Sequence, residues 1–177
     1  KEYIIKHQIP TRKKPYIALI DRVCMGGGVG LSVHGSFRIA TERTLVGMPE
    51  TTIGLFPDVG GAWFLSRLPG EMGTYLALTG QPVHASDCFN LGIATHLVAS
   101  SSLDEVEENI VRLEPQNISF KTIDELLKKY SIAVGETPVI DLRSQIDSCC
   151  AEDSIEQIIE NLRQQDNEYG RQSLELL

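Results

Sequence analysis

The chain has 177 residues, 42% of them hydrophobic, enough for one core of ordinary size. Its formal net charge is −8 and is uneven: residues 1–98 carry 9 Lys/Arg and 7 Asp/Glu, residues 99–177 carry 7 and 17. This balance argues against a nucleic-acid partner, and no apolar run approaches the ~20 residues of a membrane span.

The slightly basic first half could host an anionic small molecule. The four cysteines (Cys24, Cys88, Cys149, Cys150) fit neither zinc-site nor disulfide-framework spacing, so free thiols in a reducing compartment are expected. Cys149-Cys150 has no basic cluster beside it in sequence, and nothing there predicts reactivity. The four histidines (His7, His34, His84, His96) are scattered. The chain starts at Lys1 without a Met and stops inside a polar helical pattern at Leu177, which reads as part of something longer.

In chain order, Arg12-Lys13-Lys14 before Pro15 reads as a solvated charge run that breaks the chain. "YIALID", Tyr16 to Asp21, predicts a buried strand. "CMGGGVGLSVHG", Cys24 to Gly35, follows, with a helix expected from Val29 to His34 and Gly35 in its C′ position. "FRIAT", residues 37–41, predicts a second strand and "TLVGM", residues 44–48, a third that Pro49 stops. "PETTIGLFPDVGG" is expected to be irregular. Helices are expected over residues 62–68 and from Glu71 until Gly80 ends the second. A short helix over residues 86–91 is expected with Ser86 as N-cap, then a strand over residues 93–98.

The character then changes. Ser102-Leu103-Asp104-Glu105 reads as a capping box opening an amphipathic helix to about Leu113. "SFKTIDELLKKY" predicts a second helix. A third begins at Asp153-Ser154-Ile155-Glu156, with Ile155, Ile158, Ile159 and Leu162 on one face. The organisation expected is an α/β region over residues 1–99 and an acidic helical region over residues 100–177.

Two stretches invite a chemical reading. Three glycines between strand and helix match neither G-x-G-x-x-G, since Leu31 stands where the last Gly belongs, nor a P-loop, since no G-K-[ST] follows. Strand, glycines, helix leaves backbone N–H groups facing outward at the positive end of a helix, which suits an anion or a developing oxyanion. A close-packed turn without a ligand accounts for the glycines equally well. In "MPETTIGLFPDVGG" Glu50 and Asp58 are the ionisable residues, set among Met48, Ile53, Leu55 and Phe56. Apolar surroundings let a carboxylate work as acid or base near neutral pH, and two such groups can divide the roles. Pro57-Asp58-Val59-Gly60 is also good turn chemistry. His34 is expected to interact with the end of its helix, and Trp63 and Phe64 to pack in the core.

The combination MGGGVGLSVHG, RIAT, MPET-IGLFPDVGG and FL-RL resembles the crotonase (enoyl-CoA hydratase/isomerase) superfamily, and within it the 3-hydroxyisobutyryl-CoA hydrolases. The similarity is clearest from about Tyr3 to Val98. It implies an α/β crotonase-like ββα spiral core, partial in this chain, followed by the helical region. It implies an acyl-CoA substrate, no cofactor beyond the CoA of that substrate, mitochondrial location, a role in valine breakdown, and possible homo-oligomers through the later helices.

The resemblance also implies roles. The Gly27 N–H matches a thioester oxyanion donor. Glu50 matches the acid that hydratases and the hydrolase share, Asp58 an acidic position of the hydrolase, and Glu2 a substrate-contacting Glu. Hydratases carry a second catalytic Glu two places after the glycine triplet; here that residue is Gly30, which argues against water addition to an enoyl bond. A first oxyanion donor and much of the adenine-binding surface are implied to lie upstream, and covering helices downstream. The alternatives are another acyl-CoA enzyme of hydratase or isomerase type, or a fragment inactive by itself.

Overall fold

The computed structural model describes residues 2–177, with side chains from residue 4 onward. The chain opens with α1 (Glu2–Thr11) and passes through β1 (Ile17–Ile20) and β2 (Val23–Met25) into α2 (Gly27–Ser32). A second pass repeats the order: β3 (Phe37–Thr41), β4 (Leu45–Gly47), a 3-10 turn over Pro49–Ile53, then α3 (Gly61–Leu65) and α4 (Met72–Thr79). β5 (Val83–His84), α5 (Ala85–Asn90) and β6 (His96–Val98) complete the α/β part.

Each pass gives one strand to each of two three-stranded sheets. β1, β3 and β6 form one sheet, parallel throughout, with Ile17 opposite Phe37 and Ile39 opposite His96. β2, β4 and β5 form the other, with Val23 parallel to Leu45 and β5 antiparallel to β4. Coiling through both sheets in succession is the expected ββα spiral.

The crossing from one sheet to the other is stitched by polar side chains. Thr41 Oγ1 donates to Asp21 Oδ1 at 2.9 Å, Thr44 Oγ1 accepts from the Thr41 N–H at 2.8 Å and donates to the Ile20 carbonyl, and Arg43 pairs with Asp21. Thr41 and Thr44 are fully buried, so these bonds satisfy groups that water cannot reach.

The helical region comprises α6 (Leu103–Val111), α7 (Phe120–Lys128), α8 (Pro138–Asp141), α9 (Arg143–Cys150), α10 (Ile155–Gln164) and α11 (Glu168–Leu176). Its apolar faces enter the same core as the sheets. One cluster joins Ile20, Val29, Val46, Phe64 and Leu76 to Ile146, Cys149, Ile158, Leu162 and Tyr169. A smaller one joins Phe37, Ile39 and Val98 to Val106, Ile123 and Leu127. Of the expected α10 face, Ile158 and Leu162 are buried while Ile155 is exposed. Among the described residues no helix is long and apolar enough to cross a membrane.

Several local expectations are corrected. α2 begins at Gly27 and ends at Ser32, and Gly35 lies beyond its C′ position. Gly35 is required for packing instead, because a Cβ there would stand 2.8 Å from the Tyr16 ring. His84 stands at the N-cap position of α5 without a side-chain cap, while Ser86 Oγ accepts from the Gly135 N–H at 2.9 Å. Ser102 makes no side-chain cap to α6, because a 3-10 turn over Ser100–Ser102 leads into that helix. Ser119 and Ser154 do cap α7 and α10 through the N–H groups of Thr122 and Gln157. Trp63 is 53% exposed, not a core residue; the Arg67 guanidinium lies 4.1 Å from its ring centre.

Candidate active site

The glycine turn between β2 and α2 has a backbone that few other residues tolerate. Gly26 sits at φ +50°, and its N–H donates to the Gly47 carbonyl at 3.3 Å, tying the turn to β4. Gly27 is the first residue of α2, so its N–H has no carbonyl one turn back within the helix.

Glu50 faces this turn. It is the second residue of the 3-10 turn that follows β4, placed by Pro49 at the turn's first position. Its carboxylate is buried, 8% exposed, and Oε1 lies 3.1 Å from where a Cβ on Gly26 would stand. Any larger residue at position 26 would crowd that oxygen. Glu50 Oε2 has no hydrogen-bond partner among the described residues. A buried carboxylate oxygen without a partner is costly and unusual, and it is the form a general base takes before its water or substrate arrives.

Asp58 lies on the second loop that reaches α2, half-buried, with its carbonyl accepting from the Gly61 N–H at 2.5 Å. The next residue, Val59, is the one non-glycine at positive φ (+46°) among the described residues. Val59 is buried against Gly30: a Cβ on Gly30 would fall 2.6 Å from Val59 Cβ and 2.8 Å from Lys6 Cε. Position 30 therefore has no room for a side chain, because the Val59 side chain and Lys6 of α1 fill the space over it. Gly26 immediately precedes α2 and Gly30 lies inside it. Glu50 sits over the first and the residue next to Asp58 over the second. Glu50 and the residue next to Asp58 thus both pack against the chain that enters and forms α2.

His34 holds the second loop. Its Nε2 lies 3.4 Å from the Val59 carbonyl, its ring is edge-on to Trp63 at 5.5 Å, and Gly60 passes so close that a Cβ there would clash with Nε2. Burial pushes the imidazole below the usual histidine range, with the Val59 carbonyl partly opposing the shift. A neutral ring facing a carbonyl must carry its proton on Nε2, which makes His34 the donor. This bond to the Val59 carbonyl is one the sequence did not signal.

Beside this loop a cavity of about 440 Å³ opens between α1 (Lys6, His7, Pro10) and His34, the Val59–Gly60 peptide and Trp63. Lys6 is almost wholly buried in its wall. The Glu2 side chain lies outside the described residues. Arg12, Lys13 and Lys14 are exposed, as a solvated run should be. All four cysteines are unpaired thiols, and burial pushes Cys88 up to about 12 and Cys150 to about 11, which leaves them poor nucleophiles. Among the described residues no cluster of three or more His, Cys, Asp or Glu side chains could hold a metal ion.

Comparison with known proteins agrees with this architecture. Residues 1–177 match the family described as enoyl-CoA hydratase/isomerase. The 3-hydroxyisobutyryl-CoA hydrolase, mitochondrial, of Xenopus tropicalis is 47% identical over 182 residues, covering 100% of this chain and 47% of that protein. The Homo sapiens protein of the same name is 42% identical with the same coverage. The chain spans about half the length of the curated relatives it matches. Among solved structures, a carnitinyl-CoA dehydratase from Mycobacterium thermoresistibile superposes with a TM-score of 0.89 at 35% identity, covering 99% of this chain and 49% of that one. An enoyl-CoA hydratase from Rhodobacter sphaeroides gives 0.86 at 30% identity, covering 99% and 48%. With the two-sheet spiral, the glycine turn and the family match in agreement, this chain belongs to the enoyl-CoA hydratase/isomerase family.

Proposed function

We propose that this chain carries the hydrolytic half-site of an acyl-CoA thioesterase acting on 3-hydroxyisobutyryl-CoA. The observation that carries the reading is the buried, partnerless Glu50 oxygen set against the glycine turn. In this reading the Gly27 N–H donates a hydrogen bond to the thioester oxygen, and that bond strengthens as the carbonyl becomes an oxyanion, worth about 3 kcal/mol per donor. Glu50 either removes a proton from the attacking water or attacks the carbonyl itself to give an anhydride that water then opens. In both routes the C–S bond breaks, the CoA sulfur leaves as thiolate and takes up a proton, and the acyl carbon ends as a carboxylate. Asp58 orients the substrate hydroxyl or shares the proton work, and Glu2 contacts the substrate. No cofactor beyond the CoA of the substrate is needed.

Hydration of an enoyl group is the competing reading, and the solved neighbours carry names of that kind. The packing at Gly30 weighs against it, since a second acid has no space there. Higher identity to the hydrolases than to either of these structures points the same way. Location in mitochondria, a part in valine breakdown and self-association through the later helices belong to the same proposal.

The test offers 3-hydroxyisobutyryl-CoA and crotonyl-CoA to the protein, following thiol release and loss of enoyl absorbance. Thiol release from the first alone is expected, and Glu50→Gln is expected to lower kcat by ~10²-fold or more. Hydration of crotonyl-CoA without thiol release would overturn the proposal, and wild-type kcat in the Gln variant would remove Glu50 from it.

A further inference from the structure

We propose that His34, Val59 and Gly30 form a latch that fixes where Asp58 stands, with His34 as a positioning residue for the reaction. Three observations converge on it. Val59 holds a left-handed backbone, which a β-branched residue keeps only when the surroundings enforce it. Its side chain is a plug: Cβ and Cγ2 lie 2.6 and 2.7 Å from where a Cβ on Gly30 would be, so the socket exists only because residue 30 is glycine. Its carbonyl faces His34 Nε2 at 3.4 Å, and the ring is itself held edge-on by Trp63.

The plug fixes the side chain of Val59 and the imidazole fixes its peptide oxygen. With both held, the preceding residue has little freedom, and Asp58 is that residue. The Asp58 carbonyl is also taken, by the Gly61 N–H that opens α3. The strain is therefore placed one residue from a proposed catalytic carboxylate, where relaxation of the turn would move that group. In this proposal His34 acts through the Val59 carbonyl. This deepens the hydrolase reading and rests on it only for the kinetic arm of the test.

The test compares the wild-type protein with His34→Leu and His34→Gln. Leucine removes the donor; glutamine returns an N–H at about the reach of Nε2. Hydrogen exchange over residues 58–61 reads the turn directly, and thioester hydrolysis reads Asp58. His34→Leu is expected to speed exchange at residues 58–61 and to lower kcat by about 10-fold or more with KM little changed, since small misplacements of catalytic groups are costly. His34→Gln is expected to restore both. Unchanged exchange in the Leu variant overturns the latch, even if the wild type releases no thiol and the hydrolase reading has failed. Faster exchange with unchanged kcat overturns the link to Asp58. If the Leu variant does not fold, Val59→Gly decides: it accepts the left-handed backbone and deletes the plug. Lowered kcat in the folded variant is expected, and wild-type kcat in that variant overturns the proposal.

Discussion

His96 shows how a single buried side chain couples the two regions. It is 7% exposed on β6, with Nδ1 3.0 Å from Thr95 Oγ1 and Nε2 3.3 Å from Asp124 Oδ1 on α7, against the Phe37 ring at 5.8 Å. Burial pushes its pKa below the usual 6.5, with Asp124 opposing and Lys128 and Arg38 adding to the shift. The folded protein therefore binds this proton less readily than the unfolded chain. Its contribution to stability is complete above about pH 6.5 and is lost as pH falls through that value toward the folded pKa. Tm should drop on acidification below 6.5, and His96→Gln should flatten that slope in thermal scans taken across the range. His34 shifts in the same direction, so a residual slope in the Gln variant is expected. None of this was legible in the sequence, where His96 is a lone histidine in an apolar run; burial and a partner 28 residues away make it informative.

At the scale of elements, the segment from Ile132 to Ile140 is anchored by two side chains of α5. Ser86 Oγ takes the Gly135 N–H at 2.9 Å, and Asp87 takes the N–H groups of Val139 and Ile140 at 3.3 and 3.0 Å, capping α8 from outside its own sequence neighbourhood. Burial raises the Asp87 pKa, with these two bonds opposing the shift. Asp87→Ala should destabilise the protein by about 1–3 kcal/mol, because it strands buried N–H groups; a denaturant midpoint within error of wild type would show the cap to be dispensable. The elements legible in the sequence are those with strong local signals: β1, β3, β4, α4 with its closing Gly80, and the amphipathic α7 and α10, whereas the serine caps expected at Ser86 and Ser102 are not formed. α1 was not read, because Ile4, Ile5 and Ile9 do not form a stripe and Pro10 argues for a break. β2 spans three residues, and α8 and α9 are short or polar, so their periodicity is too brief to see. The proposed site divides in the same way. Glycines and prolines marked both loops, but a valine at positive φ is created by packing against Gly30 and carries no local signature.

For the molecule as a whole, the change of composition near residue 99 is not a break in packing. Leu162 on α10 and Ile146 on α9 are fully buried in the cluster that contains Val29, Val46 and Leu76. Leu162→Ala should cost about 2–5 kcal/mol and shift a single transition; two transitions, with the sheets unaffected in the first, would mean that the helical region folds by itself. Within that shared core, the two bare positions at 26 and 30 act as notches on a ruler. Gly26 immediately precedes α2 and Gly30 lies inside it, and one of the two acid-bearing loops packs at each. The seats of the two loops are then set by the glycine turn and α2 beneath them, so residues inserted between Thr52 and Phe56 should lengthen the exposed bridge while both ends stay seated.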